Sequence, residues 1–174
     1  MHGPFDPYHP MRHLISTVAE TLLRDDPEYE ESPAALPPVI RRMYQELLRF
    51  PEHGSRTPSL VDLLHHLKQL DASYPSEGDL EGAPELCRWA LVRRPASEFC
   101  QLTGYAAAHP RFEWGAPIVT SSVFRVDREF RWARTWSRFY LLSEYAPPTL
   151  RRMQAGGLIS SDAELVDFGR SGRF

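Results

Sequence analysis

The 174-residue sequence predicts an α+β fold: three N-terminal helices followed by a small, four-stranded, antiparallel and barrel-like sheet. Three observations lead there. Apolar residues recur at helical spacing in three segments before residue 72. After Pro84 the pattern changes to short β-branched and aromatic runs bounded by proline and glycine. Between the two lies DASYPSEGDLEGAP, Asp71 to Pro84, acidic and rich in turn residues.

The elements follow in order. Residues 1–10 hold three prolines and a glycine and predict an irregular arm. A helical region spans 11–72. Its first helix carries Leu14, Ile15, Val18, Leu22 and Leu23 on one stripe. The acidic segment RDDPEYEESPAALPP is a loop, its carboxylates Glu28, Glu30 and Glu31 solvated. Pro38 suits the first turn of the second helix, where a missing N–H costs nothing. That helix buries Val39, Ile40, Met43, Leu47 and Phe50 and stops before Pro51. The third begins near Ser59 and carries Leu60, Leu63, Leu64, Leu67 and Leu70. Residues 73–85 are a linker and 86–146 a β-rich domain. Its four strands are CRWALVRRP, FCQLTGYAA, IVTSSVFRVD and RWARTWSRFYLL, the last two joined closely enough for a hairpin. Four glycines mark 147–174 as a loosely structured tail with a helical turn or two.

Hydrophobic content of 42% and charged content of 25% fit a globular chain with a core. No run of about 18 apolar residues offers a membrane span. The N-terminus has neither a basic n-region nor an apolar h-region, so the expected location is cytoplasmic. Cys87 and Cys100 then read as two buried thiols. Charge divides unevenly. Residues 1–85 hold 7 basic and 15 acidic side chains, and residues 86–174 hold 13 and 8. A basic back half suits an acidic partner, or the chain's own acidic front.

A set of spaced words adds a resemblance. They are LEGAP at 80–84, Trp89, RRP at 93–95, Gly104, HP at 109–110, IVTSS at 118–122 and WARTWSRFYLL at 132–142. Over residues 80–145 the chain resembles a bacterial family of short proteins known as a domain of unknown function. That family ends in a W-A-R-T-x-S-R-x-Y-x-L strand. The resemblance leaves out the helical front, which looks like an extension, and implies a compact domain without a mechanism.

The stretch Phe130 to Leu142, taken as one strand, puts Trp132, Arg134, Trp136, Arg138 and Tyr140 on one side. Three readings stand. The aromatics form core with the arginines lying flat on them. Alternatively, the face binds a protein. In the third, the aromatics stack on bases while Arg125, Arg128, Arg131, Arg134 and Arg138 neutralise phosphates. A pI near 6.2 weighs against a dedicated nucleic-acid binder. Alternation does not say which side is wet. Trp114, between Glu113 and Gly115 in a proline-flanked turn, is the tryptophan expected to be exposed, as a partner anchor.

The expected function is therefore a non-catalytic binding or regulatory protein with a protein partner. Its candidate binding residues are Trp114, Arg125, Arg131, Trp132, Arg134, Trp136 and Arg138. The alternatives are a nucleic-acid module on 130–142 and a small hydrolase or metal-dependent enzyme centred on His109. No G-x-S-x-G, G-x-x-x-x-G-K-[ST] or G-x-G-x-x-G occurs, and no cofactor or metal is expected. A loose metal site from His2, His9 and His13 is the nearest approach to one, while His109 before Pro110 suits a local hydrogen bond.

Overall fold

The computed structural model describes residues 5–24, 35–49, 58–95 and 98–169. Helices α1 (Arg12–Leu23), α2 (Pro38–Leu48) and α3 (Leu60–Ala72) lead to a short α4 (Glu77–Glu81). Strands β1 (Glu85–Arg93), β2 (Cys100–Ala107), β3 (Pro117–Val126), β4 (Trp132–Thr135) and β5 (Phe139–Leu142) follow. Helix α5 (Thr149–Ala155) and the two-residue β6 (Glu164–Leu165) end the described chain. Among the described residues, no helix is long and apolar enough to cross a membrane.

Local chemistry starts the helices. Pro38 opens α2 as expected. Ser59 and Asp62 form a reciprocal capping box at α3, and Ser76 and Asp79 repeat it at α4, inside the segment expected to be a linker. The buried stripes are Leu14, Ile15 and Val18 on α1, Ile40, Met43 and Leu47 on α2, and Leu63, Leu67 and Leu70 on α3. Phe50 lies outside the described residues.

The five long strands run as a meander, each antiparallel to the next, and β5 returns to β1 in parallel. An odd number of alternating strands closes only with one parallel pair, so the sheet is a five-stranded barrel. Closure leaves the long strands no common open edge. The sixth strand, β6, adds antiparallel to the second half of β1.

A bulge lets β1 serve several neighbours. Its register to β2 jumps between Cys87 and Ala90, and Arg88 takes φ 49°. Gly104 lies opposite, where an added Cβ would sit 2.8 Å from the Cys87 carbonyl and 2.9 Å from Leu86 Cγ. The bulge frees backbone groups, and neighbours take them up. Thr149 Oγ1 donates to the Arg88 carbonyl at 2.7 Å, and Ala146 N donates to the Trp89 carbonyl at 2.7 Å.

Three apolar clusters result. Leu86, Trp89, Leu102, Ile118, Ala133 and Tyr140 are among those filling the barrel. The helices α1–α3 pack together and onto Phe124 and Trp136 from the barrel wall. On another part of the wall, Leu150, Met153, Ile159 and Ala163 pack on Ala90 and Val92. Between residues 149 and 166 the chain thus carries a helix, packed apolar side chains and a short strand, where its glycines had predicted a loose tail. The described part of the arm, residues 5–10, is tied down. Tyr8 accepts from Val126 N at 3.0 Å. His9 Nδ1 donates to Asp71 at 2.9 Å while Nε2 accepts from Arg12 at 3.3 Å. His9 is thus a bolt between the arm and α3; His2 lies outside the described residues. Both cysteines are free, and register sets Cys87 opposite Tyr105 and Cys100 opposite Arg93.

The single strand expected over 130–142 is a hairpin. Trp136, Ser137 and Arg138 form its turn. Thr135 closes it: its N donates to the Arg138 carbonyl at 2.9 Å, its Oγ1 to the same oxygen at 3.0 Å, and Arg138 N donates back to Oγ1 at 3.3 Å. The expected four strands thus become six.

Candidate binding site at the barrel mouth

The hairpin scatters the row of candidates. Trp132 is 5% exposed, set edge-on to Tyr74 and Phe139. Trp136 is 4% exposed, against Phe124 and His66 under the helices. Arg125 lies 3.7 Å over the Tyr74 ring, bonds the Tyr74 hydroxyl and lies near Trp132, which pins the end of α3 to the barrel. Arg134 covers Phe139 at 4.8 Å. Arg131 closes the β3–β4 turn onto Asp127 at 2.8 Å and meets Glu129 at 3.2 Å. Burial raises the Asp127 carboxyl, but the bonds from Arg131 outweigh it and hold the group below its usual value. These residues stitch the fold together. The two aromatic rings are not available for stacking, which corrects the expectation of a strand that grips with Trp132 and Trp136.

Trp114 and Arg138 remain, and they share one end of the barrel. The register brings the end of β2, the start of β3, the β4–β5 turn and the start of β1 to that mouth. The β2–β3 connection, residues 108–116, crosses it. Ala108 takes φ 50° and turns the chain over the opening. His109 then reaches β5. Its Nδ1 accepts from Arg111 N at 3.0 Å, so in the neutral ring Nε2 carries the hydrogen and donates to the Tyr140 hydroxyl at 3.2 Å. The local bond foreseen for His109 is there; its link across the mouth to Tyr140 had no sequence signal.

Burial first, then the charges of Arg138 and Arg111, hold the His109 pKa below its ordinary value. Burial raises that of the Tyr140 phenol against the pull of the same two arginines. Neither guanidinium has an acidic partner among the described residues. Outside this latch the loop presents Trp114, 79% exposed, and Phe112, whose ring lies 4.7 Å from that of His109. Gly115 follows at φ 78°, a turn that glycine permits without strain. The mouth thus offers two exposed aromatics beside two cations, and Glu113 is the one acid within the loop.

A closed five-stranded barrel with helices packed on its wall, and an aromatic and basic rim at one mouth, defines a small α+β domain. Residues 59–150 match a family of unknown function, DUF6634, and the chain belongs to that family. The match starts at the cap of α3 and ends in α5, so it takes in a helix that the spaced words did not reach and leaves α1 and α2 outside. No curated protein and no solved structure matches the chain.

Proposed function

We propose that the protein is a non-catalytic binding or regulatory protein of the cytoplasm, working through a protein–protein interface at the barrel mouth. Its partner presents an acidic segment with an apolar pocket for an aromatic ring. Trp114 is the observation that carries the proposal. A tryptophan 79% exposed, on a loop latched from below through His109 and Tyr140, is an anchor held ready at little entropic cost. Arg111 and Arg138 supply the charge that would steer an acidic partner. The two cysteines, unpaired and apart in register, suit a reducing compartment. A nucleic-acid surface on 130–142 has less support, because Trp132, Trp136 and Tyr140 are all buried. His109 has both ring nitrogens engaged, which favours a latch over a catalytic base.

The test is affinity capture from the natural host with the wild type and a Trp114→Ala/Arg138→Ala variant, at low and high salt and with nuclease treatment. The expected partner is a protein retained by the wild type, bound about tenfold or more weakly by the variant, and progressively lost as salt rises. Equal retention by both proteins, or a signal that nuclease removes, contradicts the proposal.

A further inference from the structure

A second surface has different chemistry. A cleft of about 660 Å³ opens where α2, the start of β2, the face of β3 and the segment after α5 meet. Its size suits a small molecule, but such sites are mostly apolar, and this one is not. Arg42 and Arg49 line it from α2 and Arg94 from beyond β1, against two acids, Glu46 and Asp162. Phe99 is the one apolar side chain of the lining.

Two of the guanidinium groups are held in place by other lining residues. Arg49 donates to Glu46 at 2.6 Å. Arg94 donates to Gln101 at 3.4 Å, and Gln101 is itself fixed by donating to the Thr120 carbonyl at 2.9 Å. Around them, the side chains of Gln45, Ser122 and Ser160 form no hydrogen bond with other described residues, which leaves amide and hydroxyl donors open to the cleft. The lining is thus rich in donors, sets three guanidinium groups beside two carboxylates, and draws on elements distant in sequence.

We propose that this cleft binds a small phosphate-bearing molecule of about nucleotide size. A phosphate offers several acceptor oxygens and spreads its charge over them, which lets more than one guanidinium fork and neighbouring hydroxyls share it. A lone phosphate would leave most of the volume empty, and Phe99, partly buried at the cleft, gives the rest of the ligand an apolar contact. None of the cleft residues belongs to the mouth, so this site stands or falls independently of the protein interface.

Calorimetric titration of the full chain with ADP and pyrophosphate tests it, with adenosine and citrate as controls. One equivalent of ADP or pyrophosphate binds, and adenosine and citrate bind about tenfold or more weakly. Arg49→Gln/Arg94→Gln lowers ADP affinity by about tenfold or more, and Ser122→Trp, which fills the cleft, abolishes binding. Thermal melting identifies which of these variants is folded, and either one suffices. Trp114→Ala binds as the wild type does. Absence of binding by ADP and pyrophosphate at about 1 mM, citrate binding as well as pyrophosphate, or full binding by a folded cleft variant overturns the proposal.

Discussion

Two side chains hold loose segments to the fold and give the stability a pH dependence. At Asp71, burial raises the carboxyl, but bonds from His9 and Arg12 outweigh it and leave the pKa lowered. A lowered carboxyl pKa adds stability that is present above the unfolded value of about 3.9 and lost as pH falls through the folded value. Asp71→Asn should therefore cost about 1–3 kcal/mol at neutral pH in denaturant melts, and should flatten the acid limb below about pH 4. His109 works in the same direction in another window. Its pKa is lowered by burial and by Arg138 and Arg111, so its contribution is present above about pH 6.5 and falls away as the ring protonates at lower pH. Protonation also removes the lone pair that accepts from Arg111 N. The melting temperature of the wild type should fall between pH 7 and pH 5, and that of His109→Gln should fall less. Equal slopes would remove His109 from the latch. The sequence made Trp114 legible as exposed because a proline-flanked turn has no sheet to bury it. The His109–Tyr140 link was not legible, since it spans 31 residues and depends on barrel closure.

Among the elements, the three long helices were legible from their stripes, the first two strands as short apolar segments set between turn residues, and the third from its β-branched run. The hairpin was not, though signals were present. A 13-residue strand is long beside the usual five or six, and Ser137 is a turn residue midway along it. Period 2 continued across the turn by coincidence, so Trp132 and Trp136 looked like neighbours on one face. The cap of α4 was also visible as Ser76 and Asp79 at capping-box spacing, but the glycines and acids around it spoke for a linker. Gly104, one of the spaced words, has its physical reason in the bulge: Gly104→Ala must push on the Cys87 carbonyl, which β1 cannot yield without losing register. Chemical melts should show a loss of about 1–3 kcal/mol. Gly82→Ala, whose new Cβ would meet its nearest atom at 3.9 Å, should stay within about 0.5 kcal/mol.

Across the whole molecule, the uneven charge suggested an acidic front docked on a basic back, and the apolar stripes were expected to supply most of the docking. Arg12 pairs with Asp71 within the front, while Arg88 pairs with Glu144 and Arg93 with Glu164 within the back. The halves meet through Phe124, Trp136 and the helix stripes, and through Arg125 on Tyr74. Trp136→Ala should cost about 3–5 kcal/mol, whereas raising sodium chloride to about 1 M should move the melting temperature by no more than about 4 °C. The same burial determines which surface is left for a partner, and the central claim is that Trp114 at the mouth, and not Trp132 or Trp136, faces solvent. Acrylamide quenching of tryptophan fluorescence tests it most directly. The wild type should show one red-shifted, quenchable component, and Trp114→Phe should remove it and leave the protected, blue-shifted emission of Trp89, Trp132 and Trp136. A quenchable component that survives in Trp114→Phe and disappears in Trp132→Phe or Trp136→Phe would contradict the account.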